Sequence, residues 1–299
     1  MGSEEVGIEL NRLRLILALG GFILLGPWGS SAAQSVSLTH REFGSGSPLF
    51  VVLHGGPGAS HEYLLPEWER LSDFGTVLFY DQRGSGANKD LPGPFGWRTH
   101  VSDLDALLSE HSEGRPVVLA GSSWGAHLAL LHALRGEEEV QGIVLSGYPG
   151  WHGPDLLMPS ERPMRLWPRL DSLEAGLLHP RVSAPDTLSS GEGIGAVIAD
   201  SIVALRALPT VSPEVKVGVT ASYPTMPAFQ ELLDVKVPVL IILGDQGRAG
   251  EPAAAADLAA LAHEARQVVI RESGHDPWAS DPKAFFEAVV TFVRELVRQ

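Results

Sequence analysis

Ser123 lies in the run Gly121-Ser122-Ser123-Trp124-Gly125, between the apolar stretch Val117–Ala120 and the helical pattern Ala126, Leu128, Ala129, Leu130, Leu131. A serine hydroxyl becomes a useful nucleophile when a base takes its proton and hydrogen-bond donors wait for the charge its attack creates. A sharp strand-to-helix turn exposes such a hydroxyl. It also demands residues without side chains two positions away on each side, because a Cβ there would collide with the bent backbone. Gly121 and Gly125 meet that demand. The same turn sets Ser123 at a helix N-terminus, whose dipole favours developing negative charge. In a chain with 33 glycines the bare G-x-S-x-G pattern arises easily by chance, so the strand before it and the helix after it carry the reading.

Two further segments supply what a serine nucleophile lacks. His54-Gly55-Gly56-Pro57-Gly58 follows the apolar run Leu49–Leu53. Taken alone it reads as a glycine-proline turn with a satisfied histidine. Beside the serine turn, the backbone N–H of Gly56 and that of Trp124 can form an oxyanion hole. Ser273-Gly274-His275 falls in the loop between the last strand pattern and the last helix pattern, the place in chain order of a general base. Of 11 histidines only His275 occupies that slot. His127 and His132 lie on the helix after Ser123 and read as structural, while His61 and His100 have no motif context.

These loops need a rigid frame. Short β-rich runs at Leu49–Leu53, Thr76–Tyr80, Val117–Ala120, Gly142–Ser146, Val239–Leu243 and Gln267–Ile270 alternate with longer helical patterns. The runs are continuously apolar, as in strands covered on both faces, which predicts a mainly parallel sheet. Val36–Phe43 is expected to add an antiparallel edge hairpin. Val101, Leu104, Leu107 and Leu108 recur at helical spacing, as do Phe285, Val289, Phe292, Val293 and Leu296. One connection is abnormal: about 90 residues separate Ser146 from Val239, far more than one crossover helix requires. Residues 151–230 carry 10 prolines and a helix-like stretch from Ile194 to Leu208. This segment predicts a helical cap over the strands' carboxyl ends, where open α/β sheets place their sites.

Together these segments, with Asp81-Gln82-Arg83-Gly84-Ser85-Gly86, Gly244-Asp245-Gln246 and His275-Asp276-Pro277-Trp278, resemble an α/β-hydrolase of the proline iminopeptidase-like branch. The resemblance covers residues 36 to 299 apart from the cap. It implies an α/β-hydrolase fold, a mostly parallel sheet flanked by helices with an inserted helical cap. By the same resemblance Ser123 is nucleophile, His275 base, and Gly56 and Trp124 the oxyanion donors, with Asp81 and Arg83 bracing the loop beneath. The family's triad acid normally sits three residues after the glycine closing the penultimate strand, and here that position is Gly247. Asp245 is the favoured substitute, although two residues of extended chain span ~6–7 Å and the turn must fold back. A site with no functional acid comes next, and then Glu251, which can reach through a flexible 247–250 loop. Asp276 is expected to turn away from its neighbouring imidazole.

Composition narrows the partners. With 36 acidic against 22 basic side chains, a formal charge of −14, the surface repels phosphate backbones and nucleic acid is not an expected partner. The absence of cysteine excludes disulfides, thiolate nucleophiles and thiolate zinc sites. The expected activity is a cofactor-free serine hydrolase cleaving a small ester, amide or short peptide. An iminopeptidase-like aminopeptidase, a carboxylesterase or a lactonase all fit, and a weakly active or inactive binding protein is the rival of another class because of Gly247. Arg12 and Arg14, the short apolar run Leu13–Gly26, and the small residues Ser31 and Ala33 read as a secretory signal cut before Gln34. The run is shorter than the ~20 residues that span a bilayer. The expected organisation is therefore a signal peptide at 1–33, a core at 34–150 and 231–299, and the cap at 151–230. The mature protein is expected to be exported, touching membrane only through an uncleaved signal.

Overall fold

The computed structural model describes residues 36–136, 139–151, 194–248, 251–262 and 264–298. The expectations placed on the N-terminal signal and on the part of the cap at residues 152–193 lie outside these residues.

Seven strands form one sheet in the order β1-β3-β2-β4-β5-β6-β7. They are β1 (His40–Gly44), β2 (Leu49–Leu53), β3 (Thr76–Tyr80), β4 (Val117–Ser122), β5 (Val140–Ser146), β6 (Val239–Gly244) and β7 (Ala265–Ile270). Strands β2 to β7 pair in parallel throughout. Every residue of β2, β3, β4 and β6 is buried, which is why these segments are continuously apolar in sequence. β1 is antiparallel, as expected, but it pairs with β3 and not with its chain neighbour β2. The expected hairpin is therefore an edge strand laid across a chain crossover. Its exposed polar side chains suit an edge and would not suit the sheet interior.

Helices α1 (Trp97–His111) and α2 (Trp124–Ala133) follow β3 and β4. Beyond the sheet's midpoint come α3 (Ile194–Ala207), α4 (Pro213–Ser222), α5 (Glu251–Leu261), the single turn α6 (Pro277–Ser280) and α7 (Pro282–Leu296). The apolar stripe of α7 is buried as its spacing requires, with Phe285, Phe292 and Val293 packed in the core beside Trp68 and Trp278. Burying one such side chain contributes roughly 1.5–3 kcal/mol. Helix α7 comes so close to β5 that a Cβ on Gly142 would overlap Leu296.

Helices α3 and α4 lie within the long insertion and are fastened to loops that leave the carboxyl ends of the strands. Ser60 N–H donates to Thr210 Oγ1 at 3.1 Å, and Ser212 N–H to the Gly58 carbonyl at 2.8 Å. Trp97 N–H donates to Ser222 Oγ at 3.0 Å. The fold thus gathers the loops after β2, β4, β5, β6 and β7 at one end of the sheet, with inserted helices against them.

Candidate active site

Ser123 joins β4 to α2 at φ 55° and ψ −115°, a left-handed backbone that a non-glycine residue seldom adopts and that costs on the order of 1–3 kcal/mol. The turn is held by close backbone contact. A Cβ on Gly121 would overlap the Gly125 carbonyl, and one on Gly125 would overlap the Leu53 carbonyl. Ser123 N–H donates to the Ser146 carbonyl at the end of β5, at 2.9 Å. Ser122 and Trp124 are buried while Ser123 stays partly exposed, so the turn presents this one side chain.

The loop after β2 reaches the same point. A Cβ on Gly55 would stand 3.0 Å from Ser123 Cβ, a contact that only glycine leaves open. Gly55 N–H is already used, donating to Tyr63 Oη at 2.8 Å. Gly56, at φ 121°, and Trp124, the first residue of α2, have backbone N–H groups that find no acceptor among the described residues. They match the unpaired donors expected at a helix start and a glycine turn.

Gln82 ties these two arms together. Its side-chain amide donates to the His54 carbonyl at 2.8 Å and its Oε1 accepts from Trp124 Nε1 at 2.8 Å. Its backbone N–H donates to His54 Nε2 at 2.9 Å. That bond fixes the tautomer: Nε2 is an acceptor, so the proton sits on Nδ1, which donates to the Gly55 carbonyl at 3.0 Å. Complete burial pushes the His54 imidazole down to about 4, and the ring is neutral. Asp81 and Arg83 brace the loop beneath. Burial alone would raise Asp81, but its hydrogen bonds from His61 and Ala87 hold the carboxyl down at about 2. Arg83 grips Asp103 through two bonds of 2.8 and 2.5 Å. The role of His61, the partner of Asp81, has no signature in the sequence, because its 20-residue separation from Asp81 is bridged only by the fold.

His275 is buried in the loop after β7, 5% exposed. Its Nδ1 is 2.6 Å from Glu251 Oε1, with both side chains almost fully covered. A carboxylate at Nδ1 orients the ring and leaves Nε2 as the acceptor. The ring also packs on the turn after β5. A Cβ on Gly147 would lie 3.0 Å from Cε1 and 3.1 Å from Nδ1. Gly147 follows Ser146, whose carbonyl holds Ser123 N–H, so the imidazole and the serine are anchored on consecutive residues of one turn.

The carboxylate on the imidazole is Glu251 and not the expected Asp245. Asp245 is exposed, and its Oδ1 accepts a 3.3 Å bond from Ser273 N–H. The chain leaving β6 keeps the direction of the sheet for one more residue, Asp245 N–H donating to the Ile270 carbonyl at 3.0 Å. No hydrogen bond joins the Asp245 side chain to the imidazole among the described residues. The chain then bends, and Glu251, opening α5, brings its carboxylate back to Nδ1. Gly247 has an ordinary φ, so backbone freedom is not what its side-chain-free position provides. A Cβ there would run into Glu251 Oε2. The carboxylate that arrives from Glu251 fills the space that a side chain at position 247 would need. Asp276 Oδ1 accepts from Trp278 Nε1 at 3.2 Å, and burial, with the Asp200 carboxylate nearby, raises its carboxyl against the opposing pull of His275.

Among the described residues one group has the spacing of a metal site. His40, Glu42 and His111, at the β1 edge, place ligand atoms within 4.8 Å of one another. They stand three strands from β4 and take no part in the arrangement around Ser123.

A left-handed serine between a parallel strand and a helix, with a carboxylate-bound imidazole in the loop after β7, is the pattern expected of a hydrolase-type α/β protein. The sequence profile of the alpha/beta hydrolase family matches residues 50–288, and the chain belongs to that family. Proline iminopeptidase from Saccharolobus solfataricus is 37% identical over 110 residues, 36% of this chain and 35% of that protein. The chain therefore matches about a third of the length of these peptidases. The 2-(acetamidomethylene)succinate hydrolase of Mesorhizobium japonicum is 25% identical over 264 residues, 86% of this chain and 92% of that enzyme. A thermophilic esterase from Thermogutta terrifontis shares the fold with a TM-score of 0.66 and 22% identity, covering 87% of this chain and 93% of the esterase. The relatives are hydrolases, and the proline iminopeptidase-like resemblance read from the motifs stands.

Proposed function

We propose that this protein is a cofactor-free serine hydrolase acting on a small ester or amide through an acyl-enzyme, with Glu251 as the triad acid. Ser123 Oγ adds to the substrate carbonyl carbon as His275 Nε2 takes its proton. The carbonyl oxygen becomes an oxyanion facing the N–H groups of Gly56 and Trp124. Glu251 steadies the imidazolium that forms. The intermediate collapses, the C–O or C–N bond to the leaving group breaks, and His275 returns the proton to the departing alcohol or amine. Water then adds to the acyl-enzyme with His275 as base, releasing the carboxylic acid and restoring Ser123.

The observation that carries this reading is the 2.6 Å bond between Glu251 and His275. It supports a complete relay and weighs against the inactive binding protein that Gly247 suggested. Among substrates, the identity to proline iminopeptidases favours an N-terminal amide or short peptide, and the more extended match to the acetamidomethylene-succinate hydrolase favours a small acyl compound. Esters and lactones fall within the same chemistry.

A fluorophosphonate probe tests the mechanism: the wild type is expected to be labelled on Ser123, and Ser123→Ala to lose labelling together with activity, a fall of about 10⁶ in turnover. A folded wild type that resists the probe would overturn the reading. A panel of proline amide, short and long acyl esters and lactones then assigns the substrate class. The Arg12-to-Ala33 pattern supports export, and N-terminal sequencing of the extracellular protein should begin at Gln34.

A further inference from the structure

The loop that carries His275 is held by more than Glu251. Asp200, on the inserted helix α3, accepts two backbone hydrogen bonds from successive residues of that loop. His275 N–H reaches Oδ2 at 2.9 Å and Asp276 N–H reaches Oδ1 at 3.1 Å. A carboxylate taking consecutive N–H groups fixes the direction of the peptide between them as well as its position. The approach is made possible by Gly274, where a Cβ would overlap the Asp200 carboxylate. Asp276 in turn precedes α6, so the clamp sits on the residue that launches the helix carrying buried Trp278. The chain distance is 75 residues: this contact joins the insertion to the loop of the general base and serves no element of its own neighbourhood.

We propose that Asp200 is a positioning residue through which the inserted helix α3 sets the His275 imidazole in register with Ser123. On this reading, which rests on the serine mechanism proposed above, the seating of α3 and the competence of the base are one event. Glu251 fixes the ring at Nδ1, and Asp200 fixes the backbone that carries the ring. Removing Asp200 leaves two N–H groups with no protein acceptor, and the loop can move by the fraction of an ångström that matters for proton transfer.

The test compares wild type, Asp200→Ala, Asp200→Asn and Gly274→Ala on a nitrophenyl ester, with kcat and KM measured separately. Asp200→Ala is expected to lower kcat roughly tenfold to hundredfold while KM changes less than about threefold. Asp200→Asn, able to accept from only one of the two N–H groups, should fall between. Formate added to Asp200→Ala should restore part of kcat, because a small carboxylate can occupy the vacated space. A residue needed only for folding would lower the amount of active enzyme without a formate-sensitive kcat. Gly274→Ala, which pushes the carboxylate away without removing it, should reproduce the kcat loss and covers the case in which Asp200→Ala does not fold. The proposal is overturned if both Asp200→Ala and Gly274→Ala keep kcat within twofold, or if the lost kcat ignores formate. Loss of all activity in Ser123→Ala alongside such a result would leave the serine mechanism standing and remove the clamp alone, whereas an active Ser123→Ala would remove the mechanism.

Discussion

The turn between β4 and α2 and the turn between β6 and α5 serve the same site, yet they obey different constraints. In the first, the place of the proposed nucleophile is dictated by backbone contact within five residues. Gly121 and Gly125 cannot carry side chains, and Ser123 cannot leave its left-handed φ without undoing the turn. In the second, what must be met is one point in space beside His275 Nδ1. A carboxylate can reach that point from more than one place in the chain, and here it comes from the first residue of α5. A nucleophile of this kind is a local backbone motif. Its acid is a spatial requirement, and sequence position is a poor guide to it.

The largest effect expected from breaking this comparison is on the acid itself. Glu251→Gln keeps the size of the side chain but no longer enforces the Nδ1-protonated tautomer. Turnover on a nitrophenyl ester should fall by about 10³–10⁴-fold with the fold intact by circular dichroism. The next is a transplant. Gly247 has an ordinary φ and lacks only room, so Glu251→Ala creates the room and Gly247→Asp refills it from the position where relatives of the resembled branch keep their acid. The double variant should regain roughly tenfold to a hundredfold over Glu251→Ala alone. Gly247→Asp in the presence of Glu251 should gain nothing and lose stability, since two carboxylates then compete for one space. A double variant no better than Glu251→Ala would show that the acid's backbone origin matters as much as its location.

The same distinction separates what the sequence disclosed from what it withheld. The strands β2 and β3 coincide with their apolar runs because burial on both faces leaves an uninterrupted signature. The α7 stripe and the serine turn are legible for the same reason, as each is written in consecutive residues. Asp245 ranks above Glu251 in the sequence because it lies nearer to position 247 along the chain, whereas the fold brings the first residue of α5 to the imidazole. Gln82, Tyr63, His61 and Asp200 act across separations of 8 to 76 residues, and no spacing rule links them to their partners. The antiparallel edge character of β1 is legible in its polarity, while its choice of β3 over β2 as partner is not.

A smaller effect, on stability, sharpens the contrast from the side of the serine turn. His54 is neutral in the folded protein, its imidazole pushed down to about 4 by burial, against about 6.5 when unfolded. Between those values the unfolded chain binds the extra proton and the folded protein does not, so stability rises with pH across this window and is lost as pH falls from 6.5 toward 4. The loss is of the order of 3 kcal/mol once pH is below 4. Asp81, held down at about 2, contributes stability above its usual value that disappears only lower, as pH falls through about 2. Denaturant titrations between pH 7 and 4 should show the first slope in wild type. His54→Asn, with no titrating ring, should make it shallower, even if it is less stable at pH 7; the slope that remains belongs to His100, whose buried imidazole is pushed down to about 3.

The smallest effect belongs to Asp245→Asn, and its smallness is the point. The only bond that the Asp245 side chain makes among the described residues is the 3.3 Å acceptance from Ser273 N–H, and the amide oxygen of asparagine can take it over. The residue is exposed, so the change in charge is largely screened. Turnover should therefore stay within about threefold of wild type and stability within about 0.5 kcal/mol. Set beside Glu251→Gln in the same assay, the pair gives a ratio that depends on which carboxylate bears on the imidazole and cancels differences in expression or substrate. A ratio near one, with both variants slow, would mean that the turn after β6 moves between two arrangements during turnover, each presenting a different acid. With Asp245 indifferent and Glu251 essential, the acid is fixed by the point it occupies, and the turn between β6 and α5 is free to vary so long as one carboxylate arrives there.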